Sequence, residues 1–245
     1  MYRFDYVYAQ TNALIMLLYI CNMKKGSIII TTLIMLFVGC TDDKKAADTN
    51  QGNTVKDSVT VAKKKTIVFF GNSLTAGYGL SPSQAFPALI QKKIDSLGLP
   101  YRVINAGVSG ETSSGGNTRV DWILRQPVDI FILELGANDG LRGIPLSETR
   151  KSLQSIIDKV RSKNPATKLV FAGMQVPPNM GQMYSTEFRN IYTELATKNS
   201  MTLIPFILER VGGEAHLNQE DGIHPNEEGS RIVAENVWGQ LKSLL

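Results

Sequence analysis

The sequence predicts an α/β domain built on a parallel sheet. Three observations predict it. Apolar runs of strand length recur between residues 66 and 205, amphipathic segments of helical length separate them, and several elements stop at a glycine (Gly71, Gly98, Gly136). Strands that alternate with helices imply right-handed βαβ units.

In order, residues 66–70 form a buried-strand run ended by Gly71. Residues 83–97 have helical spacing, with Phe86, Leu89, Ile90, Ile94 and Leu97 on one face. Residues 101–105 are a second strand, 117–125 a short helix, and 130–135 a third strand. Residues 146–163 are helical, with Leu153, Ile156, Ile157 and Val160 aligned. Residues 168–172 are a fourth strand, 186–199 a helix, 202–205 a fifth strand and 226–244 a final helix. The period-3.6 and continuous-apolar patterns carry these assignments.

The bulk composition is that of a globular chain: 245 residues, 43% apolar and 20% charged. The net charge is +4, of which the first 39 residues carry +2. With no basic stripe interleaved with aromatics, nucleic acid is not an expected partner. Both cysteines, Cys21 and Cys40, lie near the N-terminus. The globular part therefore has no disulfide, thiolate zinc site or cysteine nucleophile. Its two histidines are His216 and His224, so any imidazole chemistry uses one of them.

The N-terminal region reads as an address. Lys24 and Lys25 precede an apolar run of roughly a dozen residues, followed by Leu36-Phe37-Val38-Gly39-Cys40. That is the order of a secretory signal, and the run is short of the about 20 residues that span a bilayer. The ending resembles a bacterial lipobox, which implies lipidation of Cys40. Residues 1–39 are thus expected to be an N-terminal extension and signal peptide starting at Met23. Residues 40–65, polar and unable to bury apolar area, are expected to be a lipidated tether. Residues 66–245 would be the folded domain. The expected location is extracytoplasmic, as a membrane-anchored bacterial lipoprotein.

In open parallel sheets, ligands bind beyond the carboxyl ends of the strands. Ser73 follows the first strand in Gly71-Asn72-Ser73. Read alone, such a serine is more often turn chemistry or a helix cap. Asp221 and His224 stand three apart in a loop before Pro225. There an acid can orient an imidazole and stabilise its charged form, or the pair can be a surface turn. Gly107 and Asn138 follow the second and third strands. With the Ser73 amide they are candidate donors to a developing oxyanion, although Asn138 also suits an Asx-turn. Met174, Met180 and Met183 flank the Pro-Gly loop after the fourth strand, with Pro178 inside it, and line an acyl groove or pack the interior. His216, near Glu214 and Glu220, reads as solvated rather than as a metal ligand. Asp139 and Arg142 read as ordering their loop.

Gly71-Asn72-Ser73-Leu74-Thr75-Ala76-Gly77-Tyr78-Gly79 resembles the first block of the GDSL, or SGNH, hydrolases. Gly107 falls in the second block, Gly136-Ala137-Asn138-Asp139 in the third and Asp221-Gly222-Ile223-His224-Pro225 in the last. The residues 134–143 and Pro177-Pro178-Asn179-Met180-Gly181 narrow the likeness to the thioesterase I / lysophospholipase / arylesterase branch. The resemblance covers about residues 66–245. It implies a three-layer α/β/α sandwich with a five-stranded parallel sheet (flavodoxin-like). Ser73 would be the nucleophile, completed by Asp221 and His224, with Ser73, Gly107 and Asn138 holding the oxyanion. It implies no cofactor and no metal. One departure stands out: Asn72 occupies the family's aspartate position.

The expectation is therefore a monomeric serine esterase acting on small-molecule or lipid acyl esters or thioesters, with the membrane reached through the N-terminal lipid. A glycan O-deacetylase of the same family and a non-catalytic surface-binding lipoprotein are the alternatives.

Overall fold

The computed structural model describes residues 64–245. The signal segment, Cys40 and the tether lie outside the described residues. Among the described residues, no helix is long and apolar enough to cross a membrane.

The elements are β1 (Lys65–Gly71), α1 (Ser73–Ala76), α2 (Phe86–Ser96), β2 (Tyr101–Gly107), α3 (Ser113–Ile123), β3 (Ile130–Glu134), α4 (Ala137–Leu141), α5 (Leu146–Lys163), β4 (Lys168–Ala172), α6 (Gln182–Lys198), β5 (Thr202–Ile204) and α7 (Glu227–Leu241). The strands form one parallel sheet in the order β2-β1-β3-β4-β5. The expected five-stranded α/β architecture is therefore present.

Helices cover both faces. Helix α2 packs beside α7 on one face, while α3, α5 and α6 pack in series on the other. This explains why β1 reads as an unbroken apolar run: Ile67, Val68, Phe69 and Phe70 are all fully buried. Their side chains alternate between layers. Phe69 meets Phe86 of α2 edge to face at 5.5 Å, and Phe70 lies with Leu135 and Ile156 around Gly116 of α3. On the α6 side Phe171 contacts Tyr192 at 4.9 Å.

Helix boundaries follow local chemistry. Helix α5 has the bounds its apolar spacing predicts. Pro145 precedes it with φ −52°, Glu148 sits in its first turn, and Arg161 and Lys163 sit in its last. That charge arrangement complements the helix dipole. Helix α3 starts four residues before the expected 117. Thr112 caps it by accepting from the Gly115 amide, and buried Asp139 accepts from both the amide and the hydroxyl of Ser113. A tertiary partner thus overrides the poor propensity of Gly115 and Gly116. Helix α6 likewise begins at Gln182, four residues before the expected 186. The helices α1 and α4, of four and five residues, are too short to show a periodic pattern.

Candidate active site

Among the described residues, the candidate catalytic and oxyanion residues lie at the carboxyl edge of the sheet. Ser73 is the first residue of α1, immediately after β1. Asn72 caps this helix: its Oδ1 accepts from the Leu74 amide at 2.9 Å. The Ser73 amide has no carbonyl four residues back in its own helix and is left to other acceptors.

Asp221 and His224 come from the loop before α7. Asp221 Oδ1 accepts from the amides of Ile223 (2.9 Å) and His224 (3.0 Å), and Oδ2 lies 2.6 Å from His224 Nδ1. Between them Gly222 takes φ +68°, which lets the chain fold back so tightly. The loop is anchored further. The Gln219 amide donates to the His224 carbonyl at 2.7 Å, and Gln219 Nε2 donates to the carbonyls of Tyr78 and Pro225. Asn226 then caps α7 through the amides of Glu228 and Gly229. The ring so placed puts His224 Nε2 at 2.8 Å from Ser73 Oγ. Tyr78 lies against the same ring, with centroids 4.6 Å apart.

The acid is held ionised. The His224 amide, the His224 ring and the Ile223 amide, in that order, push the Asp221 carboxyl down to about 2. With Nδ1 protonated and facing this carboxylate, Nε2 presents its lone pair to the Ser73 hydroxyl. A serine, imidazole and carboxylate in line can transfer a proton from Oγ to nitrogen and hold the resulting imidazolium.

The second-block loop requires a correction. The Gly107 amide donates to Asn105 Oδ1 at 3.0 Å. A Cβ at Gly107 would come within 2.2 Å of the Ala76 amide nitrogen. This glycine serves close packing of β2 against α1, and its amide is already engaged. Gly110, three residues on, has φ +78° and an exposed backbone. Among the described residues its amide donates to no backbone or side-chain acceptor. Its loop is tied to Asn138: Asn138 Nδ2 donates to the Glu111 carbonyl at 3.0 Å, and Arg142 donates to the Gly110 carbonyl at 3.0 Å. Glu111 is itself paired with Arg119. Gly110 and Asn138 are thus joined in one loop cluster, and Gly107 stands outside it. A glycine at a strand's last residue and a glycine inside the next loop look alike in sequence; only the hydrogen bonding separates them.

The Pro-Gly loop is also corrected in part. Met174 is 4% exposed and belongs to the hydrophobic core. Met180 ends a 3-10 turn over Pro178–Met180 and is partly buried against that core. The exposed methionine is Met183. Asp139 and Arg142, expected to order the third-block loop, reach instead to the second-block segment, Asp139 to Ser113 and Arg142 to the Gly110 carbonyl. Beside Ser73 and His224 a narrow cleft is lined by Leu74, Tyr78, Leu80, Leu208 and Val233. His216 is exposed and 4.0 Å from Glu214. Among the described residues no group of three potential ligands could hold a metal ion.

One group escaped the sequence reading. Glu134, the last residue of β3, is fully buried directly behind Ser73. Its Oε2 accepts from the Asn72 amide (3.1 Å) and Thr75 Oγ1 (2.8 Å), and its Oε1 accepts from Asn72 Nδ2 (2.7 Å). Burial pushes its carboxyl up to about 7, against the opposing pull of these donors. The available signal was a lone carboxylate ending the apolar run Ile130-Phe131-Ile132-Leu133.

A parallel α/β sheet with a hydrogen-bonded Ser-His-Asp line at its carboxyl edge has the arrangement of a serine hydrolase. The chain belongs to the GDSL-like lipase/acylhydrolase family, whose model matches residues 69–232. It is 40% identical to the esterase TesA of Pseudomonas aeruginosa over 185 residues, 75% of this chain and 91% of that one. It is 37% identical to thioesterase 1/protease 1/lysophospholipase L1 of Escherichia coli (strain K12), again over 185 residues, 75% of this chain and 86% of that protein. The crystal structure of TesA superposes with a TM-score of 0.71 at 40% identity, covering 74% of this chain and all of that one. The psychrotrophic esterase EstA from Pseudoalteromonas sp., inhibited by monoethylphosphonate, superposes at 0.69 with 31% identity, covering 74% and 98%.

Proposed function

We propose that this protein is a serine esterase that cleaves acyl ester or thioester bonds through an acyl-enzyme intermediate. The observation that carries the reading is the continuous line Asp221–His224–Ser73, at 2.6 and 2.8 Å. In the first half-reaction, Ser73 Oγ attacks the carbonyl carbon as its proton passes to His224 Nε2. The tetrahedral oxyanion is held by the amides of Ser73 and Gly110 and by Asn138 Nδ2. Collapse breaks the bond to the alcohol or thiol, which leaves with the proton from His224. In the second, water gives a proton to His224, its oxygen attacks the acyl carbon, and Ser73 recovers its proton as the carboxylic acid departs.

An acyl substrate suits the surface around the site. Among the described residues, seven large apolar side chains are exposed. One of them, Tyr78, lies against the His224 ring beside a cleft also lined by Leu74, Leu80, Leu208 and Val233. The relatives named as esterase and as thioesterase/lysophospholipase support the same bond class. The test is labelling by a fluorophosphonate together with hydrolysis of acetyl and octanoyl p-nitrophenyl esters. Labelling of Ser73 and turnover of the octanoyl ester are expected. Preference for acetyl would move the substrate to O-acetylated glycans, and absence of both labelling and turnover would make the chain a binding protein.

We further propose that Cys40 carries a lipid which tethers the enzyme at an extracytoplasmic membrane face, on the strength of the lipobox-like sequence and the polar segment after it. Metabolic incorporation of palmitate, lost in Cys40→Ala, is the expected result.

A further inference from the structure

We propose that Glu134 is a positioning residue for the nucleophile, acting through Asn72, whose amide it holds one way round so that the oxygen faces Ser73. The proposal rests on the assignment of Ser73 as nucleophile. It adds a group that touches no substrate yet sets where the attacking oxygen stands.

Asn72 is 1% exposed and sits between two sets of partners. On one side Nδ2 gives a proton to Glu134 Oε1 at 2.7 Å. On the other, Oδ1 accepts from the Leu74 amide at 2.9 Å and faces Ser73 Oγ at 3.4 Å. Turned over, the amide would put its NH2 against the Leu74 N–H and its oxygen against a carboxylate oxygen. Both contacts would then pair like with like. The Glu134 carboxylate and the Leu74 N–H thus fix the orientation from opposite sides, and the orientation caps α1 at its first turn, which carries Oγ. The carboxylate is itself fixed by the Asn72 amide and Thr75 Oγ1. Gly71 admits it: a Cβ there would lie 2.5 Å from Glu134 Oε2 and 2.2 Å from Thr75 Oγ1. From α6, Tyr192 lies within reach of the Glu134 charge. Tyr192 keeps its proton, because burial pushes the phenol up, and its hydroxyl donates to the Leu135 carbonyl at 3.0 Å.

The arrangement makes a reciprocal exchange informative. In Glu134→Gln, one oxygen of the pair becomes an NH2. Either it meets Asn72 Nδ2, or, turned over, it meets the Asn72 N–H and Thr75; a buried donor faces a donor in both cases. In the double variant, Asn72→Asp with Glu134→Gln, the amide and carboxylate trade places. The NH2 introduced on β3 then donates to the carboxylate introduced before Ser73. The oxygen of the same side-chain amide still accepts from the backbone N–H of position 72 and from Thr75. The introduced carboxylate keeps its second oxygen for Leu74 and Ser73. Asn72→Ala alone removes the orienting amide and the cap on Leu74 together.

The experiment measures kcat, KM and fluorophosphonate labelling rate across pH for these three variants. Glu134→Gln is expected to lower kcat and the labelling rate together by about 10- to 100-fold, with KM within about twofold. The exchange variant is expected to recover most of that loss. Asn72→Ala is expected to lose at least as much as Glu134→Gln, again in kcat and labelling rate together. Retention of wild-type kcat in Glu134→Gln would overturn the proposal. So would a folded exchange variant no faster than Glu134→Gln. If Glu134→Gln does not fold, the exchange variant decides alone: folded and active supports the proposal, folded and inactive overturns it. If neither folds, Asn72→Ala decides, and a wild-type kcat and labelling rate in it overturn the proposal. Failure of the nucleophile assignment is seen separately, as turnover and labelling that survive in Ser73→Ala.

Discussion

His224 Nε2 stands 2.8 Å from Ser73 Oγ, across 151 positions of sequence. The two residues are brought together by the sheet, because β1 ends beneath Ser73 and the loop into α7 returns to the same edge. Replacing Ser73 with Ala is expected to lower kcat toward acyl esters by about 10⁴-fold or more and to abolish fluorophosphonate labelling. The fold should be retained, since the side chain is only half buried at the start of a four-residue helix. Circular dichroism and intact-mass labelling check both statements.

Asp221 accepts three hydrogen bonds from the loop that carries His224. Its carboxyl is held down at about 2, first by the His224 amide. Asp221 is therefore ionised throughout the range above about pH 3, and any loss of activity on acidification above about pH 4 belongs to other groups. Asp221→Asn is expected to cut kcat by about 10²–10⁴-fold through loss of imidazolium stabilisation and ring orientation. A pH–rate profile of the residual activity is the check.

Asn138 and the two glycines of the second block separate oxyanion support from packing. Asn138→Ala is expected to lower kcat by about 10²–10³-fold with KM little changed. Gly107→Ala should chiefly destabilise, because its Cβ would meet the Ala76 backbone at 2.2 Å. At Gly110 the nearest atom to a new Cβ is Arg142 Nη2 at 3.7 Å, so the cost there is the positive φ, about 1–2 kcal/mol. Urea unfolding beside steady-state kinetics distinguishes the three.

Glu134 links stability to pH. Its carboxyl is raised from 4.5 to about 7 by burial. A raised acid contributes stability that is fully present below 4.5 and is lost as pH rises through 7. The loss amounts to about 3 kcal/mol. Glu134→Gln removes this dependence. The unfolding free energy of the variant relative to wild type should therefore shift in the variant's favour between pH 4.5 and about pH 8, whatever its offset. Urea titrations across that pH window measure it.

Much of this fold was legible in the sequence. Phe69 and Phe70 announce a strand covered on both faces, and Leu153, Ile156, Ile157 and Val160 announce the buried stripe of α5. These are local patterns, written by the pleat and the helical turn. Ser73, Asp221, His224 and Asn138 stood out for a different reason: each read singly as a turn or a cap, and their order along the chain, which resembles the family's blocks, marked them as candidates.

The tertiary structure decided the rest. Whether Gly107 or Gly110 has an amide to offer depends on Asn105 and on the backbone of α1, which no spacing along β2 records. Helix α3 begins at Ser113 because Asp139, from α4, receives it. Met174 faces inward because β4 is covered by α6. Glu134 looks like one polar letter in an apolar strand until Asn72 and Thr75 are folded against it. The sequence by itself determined which elements form and which loops carry chemistry, because periodicity and turn chemistry are properties of neighbouring residues. Which donor meets which acceptor at the sheet's edge was settled only by folding, because a hydrogen bond is specified in ångströms between groups that the chain keeps far apart.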